Sequence, residues 1–163
     1  MIVTVDNCAV GGITLALTPA KVEPPNSCEG NTMPLALPAL MTLLAVLWYI
    51  VTAFQVGRAH VKYKIHAPAM TGHPALERAV RVHMNTLEQL AAFLPAMWIY
   101  AWYGNPRWAA IACGVWIVGR IVYAFGYWAD ASKRSLGFGI TFVALVVVWI
   151  AALISVVRVI NFA

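Results

Sequence analysis

Charge is what this sequence has least of. Asp and Glu together number 6 and Lys and Arg 11 among 163 residues, so charged side chains make up only 10% of the chain. An ordinary soluble domain carries ~25%, and that class is excluded. Cysteine is scarce as well, with three in all. Cys113 lies inside an apolar segment, as a small packing residue does. Cys8 and Cys28 leave room for one bridge, which forms only if the N-terminus is exported. The basic residues do not alternate with aromatics, which argues against a nucleic-acid surface. The histidines of the first basic stretch, His60, His66 and His73, lack the close spacing of a metal site, and no metal is expected. A secretory signal is missing too: Asp6 stands where basic residues belong, and Ala9 to Leu17 is too short to span a bilayer.

What the chain has is apolar length. Hydrophobic residues make up 62% of it, with a mean hydropathy of +0.77, and they are gathered into four segments at about 34–56, 76–102, 106–130 and 138–160. Each is long enough to cross a ~30 Å hydrocarbon core. The expectation is an all-α, integral membrane four-helix bundle over 33–163, with no second soluble domain. Residues 1–32, with Pro24-Pro25 and no helical periodicity, read as a poorly ordered extension. Tyr103-Gly104-Asn105-Pro106 is a turn so short that the second and third segments must be antiparallel neighbours. Arg58, Lys62, Lys64, Arg78 and Arg81 cluster between the first two segments, and Lys133 and Arg134 between the last two. The positive-inside tendency then places those two connections in the cytoplasm and both termini outside.

Two stripes of polar residues interrupt the apolar pattern. Arg78, Arg81, Asn85 and Glu88 fall at offsets 0, 3, 7 and 10, which is one face of a helix. Arg120, Tyr123 and Tyr127 fall at offsets 0, 3 and 7 in the next segment, with Arg134 at 14. Taken singly, each is as readily a structural bond between helices. Together, Arg81, Arg120 and Arg134 face one acid, which invites an anionic ligand; guanidinium forks suit carboxylates, and Glu88 can receive an ammonium group. Ionisable groups at membrane depth usually face a bundle interior or a watery cavity. The fourth segment, rich in Val, Ile and Ala, offers no chemistry and is expected to face lipid. Gly119 and Gly126 mark a face for close helix contact.

The motif Glu77-Arg78-x-x-Arg81-x-x-x-Asn85-x-x-Glu88 closely resembles the second-helix signature of the membrane-associated proteins in eicosanoid and glutathione metabolism, the MAPEG family. Arg120-x-x-Tyr123-x-x-Gly126-Tyr127, followed by Arg134, resembles the third-helix pattern of its leukotriene-C synthase and microsomal glutathione transferase branch. The resemblance covers about 34–160. It implies a homotrimer that holds glutathione, as co-substrate, between subunits near the cytoplasmic face. Arg81, Asn85, Glu88, Arg120, Tyr123 and Tyr127 would contact glutathione, joined by Gln89, which stands where that branch has a tyrosine. Arg134 would hold the sulfur as thiolate, and Arg58 is a looser match to a second arginine near it. Arg58-Ala59-His60 replaces that branch's arginine pair, and His83 another polar position; these differences bear on the lipid substrate more than on glutathione.

The resemblance thus implies a membrane-bound glutathione S-transferase acting in detoxification. Its partners would be a lipophilic electrophile from the bilayer and membrane lipid, and lipid hydroperoxides are open to the same thiolate as a peroxidase substrate. The alternative is a non-catalytic lipid-binding scaffold of the same fold; a small transporter ranks last, because the polar stripes stop near one face. Either a bacterial inner membrane or an endomembrane would suit the chain.

Overall fold

The computed structural model describes residues 33–162. The expected N-terminal extension and any Cys8–Cys28 bridge lie outside them. Four helices follow in chain order: α1 Met33–Tyr63, α2 Pro74–Tyr103, α3 Pro106–Ala129 and α4 Ser135–Phe162, with a 3-10 turn Ala131–Arg134 leading into α4. The described residues are helical with short connections, and none is in a strand.

Local chemistry sets the ends. α2 starts at Pro74, whose missing N–H costs nothing in a first turn, and the His73 ring nitrogen Nδ1 accepts the Ala75 N–H at 3.2 Å. α3 also starts on proline, and Asn105 Oδ1 accepts from Arg107 N at 3.0 Å and Trp108 N at 3.3 Å, satisfying donors that a helix start leaves open. Asp130 closes α3, its N–H bonding to Gly126 O at 2.9 Å. It then caps the 3-10 turn by accepting from Ser132 N at 2.9 Å.

Three expectations need correcting. α1 does not stop near Val56 but runs on to Tyr63, carrying Arg58, His60 and Lys62 on helix rather than loop. Nothing in those residues breaks a helix, and it ends only where Lys64 takes a positive φ of 55°. Among the described residues three helices, not four, are long and apolar enough by composition to cross a membrane: α1, α3 and α4. α2 spans 30 residues, or ~45 Å, but its first half holds Glu77, Arg78, Arg81 and Glu88. At the other end, α4 begins at Ser135 rather than Phe138, because the 3-10 turn feeds straight into it.

α2, α3 and α4 pack around Phe93, Met97, Cys113, Trp116 and Val148, all fully or almost fully buried. Phe93 stacks on Trp116 at 5.1 Å between ring centroids. α3 and α4 lie close together at Gly137, where a Cβ would collide with the backbone of Tyr123. At Gly119 a Cβ would stand 2.8 Å from Ile140 and Thr141 side-chain carbons, so this glycine does permit a close contact. α1 is attached differently, through longer side chains. Trp98 Nε1 donates to Thr42 Oγ1 at 3.1 Å, Tyr49 stacks on His83 at 4.6 Å, and His83 Nδ1 lies 3.0 Å from Thr52 Oγ1. The Thr52 hydroxyl donates its hydrogen to Tyr49 O at 2.7 Å, so His83 must be the donor in that bond.

Candidate functional site

The stripe on α2 faces a cavity. A hollow of about 580 Å³ is lined by Glu77, Arg78, Arg81, Met84 and Glu88 of α2, by Met70 and Thr71 of the preceding loop, and by Tyr127 of α3. Its size lies within the ~300–1,000 Å³ usual for small-molecule sites. Helical spacing explains the α2 wall: residues three and four apart share a face. The loop is drawn in by the Gly72 N–H, which donates to Glu77 Oε1 at 3.3 Å.

Arg120 does not open into this hollow. It is fully buried and bridges to α2. Its Nη1 donates to Asn85 Oδ1 at 3.0 Å and its Nη2 to Thr86 Oγ1 at 2.7 Å. The guanidinium carbon also lies 4.2 Å from the Tyr123 ring centroid, a cation–π contact. With its oxygen committed to Arg120, the Asn85 amide turns its nitrogen to Glu88 Oε2 at 3.3 Å. One string therefore runs from the buried guanidinium through an amide to a carboxylate at the cavity wall. Thr86 is the link that sequence reasoning missed. It sits one residue off the stripe, and only the approach of α3 reveals it.

At the other end of the α3 stripe, Arg134 Nη1 lies 3.5 Å from the Tyr127 hydroxyl, and its guanidinium carbon 5.5 Å from that ring. Tyr123 and Tyr127 lie side by side, 5.7 Å between centroids. Arg81, Glu88 and Tyr127 thus share the hollow. Asn85, Arg120 and Tyr123 stand behind it, and exposed Arg134 joins it through Tyr127.

Two expected residues are not brought in. The Gln89 side-chain oxygen is buried without a hydrogen-bond partner, and the residue does not line the hollow. Arg58 lines a second cavity, between α1, α2 and α3, that shares no residue with the first. Among the described residues, no cluster of His, Cys, Asp or Glu has the geometry to hold a metal ion.

The whole helical bundle, and not only the stripes, matches a known pattern. The sequence model of the MAPEG family covers residues 38–154. The chain belongs to the MAPEG family. Among its MAPEG relatives, an uncharacterised Synechocystis protein is 47% identical over 119 residues, 73% of this chain and 87% of that protein. Human microsomal glutathione S-transferase 2 is 37% identical over 109 residues, 67% of this chain and 72% of its own length. Guinea pig leukotriene C4 synthase is 34% identical over 99 residues, 61% and 66% of the two chains. As a MAPEG protein with helices apolar enough to span a bilayer, it is a membrane protein.

Proposed function

We propose that this protein is a membrane-bound glutathione S-transferase that adds the glutathione thiolate to lipophilic electrophiles. The observation that carries the reading is the shared hollow, with a cation, Arg81, and an anion, Glu88, on one wall and Tyr127 leading to Arg134 on another. Glutathione is a zwitterion with two carboxylates, one ammonium and one thiol. Arg81 and Arg78 suit its carboxylates and Glu88 its ammonium group, with Asn85 holding the Glu88 carboxylate in place. Arg120 and Tyr123 support that wall from behind.

A free cysteine thiol has a pKa near ~8.5 and is mostly protonated at neutral pH. Lowering it by one unit takes ~1.4 kcal/mol of preference for the anion. A guanidinium beside the sulfur, at a partly dehydrated boundary, supplies one or two such units. In this reading Arg134 takes that role, reached from the hollow through its contact with the Tyr127 hydroxyl. The electrophile arrives from the bilayer, and a lipid hydroperoxide is reduced by the same thiolate. No metal is required.

The reading includes a homotrimer, as the family resemblance implies. In a trimer, Arg58 would serve the sulfur of a neighbouring subunit's glutathione rather than its own. The connections before α2 and before α4, with the basic residues in and beside them, face the cytoplasm and the termini face outside.

Calorimetric titration of detergent-purified protein with glutathione, followed by turnover of chlorodinitrobenzene, tests the proposal. Arg134→Ala should keep glutathione binding and lose turnover, whereas Arg81→Ala should weaken binding itself. Native mass spectrometry should find three copies. Glutathione binding without turnover in the parent would favour a non-catalytic lipid-binding scaffold instead. Failure to bind glutathione at all would end both the assignment and its residue roles.

A further inference from the structure

We infer that the second cavity is a binding site for the headgroup of an anionic phospholipid. It encloses about 720 Å³ between the last turns of α1, the start of α2 and the end of α3, and its lining includes Phe54, Gln55, Arg58, Lys62, Ala79 and Trp128. Its polar character is one-sided. Arg58 and Lys62, four residues apart, lie on one face of α1; both are exposed, and no Asp or Glu lines the cavity. Lys62 Nζ leans over the Tyr63 ring at 5.4 Å. Such a lining supplies cations and offers no carboxylate to answer them, so the complementary ligand is an anion.

Position and wall chemistry decide which anion. Both cations stand at the end of α1, whose apolar span Leu35–Tyr63 includes them. Basic side chains at that height reach the headgroup layer and attract acidic lipid. Beside them, Phe54 is 69% exposed and Val61 82% exposed. A soluble anion gains nothing from those apolar surfaces, whereas a lipid lays its first methylenes on them. On the α2 side the wall is Ala75 and Ala79, side chains small enough to leave room for a phosphodiester. This inference does not need the glutathione reading: the two cavities share no residue, and although that reading assigns Arg58 to a neighbouring subunit's sulfur, Lys62 is the cation the test removes.

The test is native mass spectrometry of the full chain in detergent, titrated with dioleoylphosphatidylglycerol, dioleoylphosphatidylcholine or oleate. Phosphatidylglycerol should be retained in preference to phosphatidylcholine. Lys62→Gln should reduce that preference about fivefold, the weight of one basic residue against an anionic surface. Lys133→Gln, an exposed lysine outside the cavity, should leave it unchanged. Ala75→Leu keeps both charges but fills the groove, and should abolish the preference. Equal retention of the two phospholipids would overturn the inference. So would an equal loss in Lys133→Gln, an unchanged preference in Ala75→Leu, or retention of oleate without phosphatidylglycerol.

Discussion

Replacing Thr86 by valine probes the buried junction on which the candidate site rests. The change keeps the branched shape and removes one hydroxyl. That hydroxyl donates to Val82 O at 2.6 Å and, with its hydrogen so committed, accepts from Arg120 Nη2 at 2.7 Å. Both residues are fully buried, and Arg120 Nε already lacks a hydrogen-bond partner. Losing Thr86 leaves the guanidinium with Asn85 and the Tyr123 ring alone. Hydrogen bonds to charged groups contribute ~1.5–3 kcal/mol, whereas bonds between membrane helices average nearer ~0.6. A buried cation belongs near the upper range, so Thr86→Val should cost about 2 kcal/mol. Reversible unfolding in mixed micelles measures it, with Thr86→Ser expected to keep most of the stability. In an Arg120→Met background the same substitution should cost little, giving a coupling of about 1.5 kcal/mol. A cost below ~0.5 kcal/mol, or an equal cost in both backgrounds, would refute the reasoning.

Other consequences are equally open to measurement. Gly137→Ala forces a Cβ into the Tyr123 backbone and should destabilise by at least ~2 kcal/mol, at the upper end of overpacking, in the same unfolding assay. Asn105→Ala removes the acceptor for two α3 amides and should cost ~1 kcal/mol, with faster amide exchange at Arg107 and Trp108. At Asp130, hydrogen bonds from the Ser132 backbone and then its side chain, with Lys133 nearby, hold the carboxyl below its ordinary value. A depressed folded-state pKa stabilises above the ordinary value of ~3.9 and is lost as pH falls through the folded one. Amide exchange at Ser132, corrected for its intrinsic pH dependence, should therefore show constant protection from pH 8 to about 5, and that protection should fall only in stronger acid. Loss near neutrality would rule the cap out.

What was legible in the sequence is what one helix fixes alone. The face holding Arg78, Arg81 and Glu88 follows from 3.6 residues per turn, and those side chains do line one hollow. The turn at Asn105-Pro106 was legible too, because asparagine before proline is a helix start in its own right. What depends on two elements meeting was not. Nothing local links Thr86 to Arg120; the bond exists because α3 brings the guanidinium across 34 residues of chain. Charge misled at the end of α1, where Arg58 and Lys62 resembled a solvated loop although their backbone is a good helix former. On α2, Glu77, Arg78, Arg81 and Glu88 leave the helix too polar to count as a span by composition, although its length suffices. The separation of Arg58 from Arg81 is likewise a matter of packing, since both lie within the one basic stretch of sequence.

The glycine of α4 lying against the backbone of Tyr123 has a mechanical reading. α3 and α4 are pinned there as two rods at a rivet, just above the turn that presents Arg134. A second close contact follows at Gly119, but the pin lies nearest the turn: Arg134 is three residues from Gly137 on one side, and Tyr127 four residues from Tyr123 on the other. A pin this near the turn would hold the Arg134 guanidinium in register with the Tyr127 hydroxyl, 3.5 Å away, whatever the bilayer does to the other end of the pair.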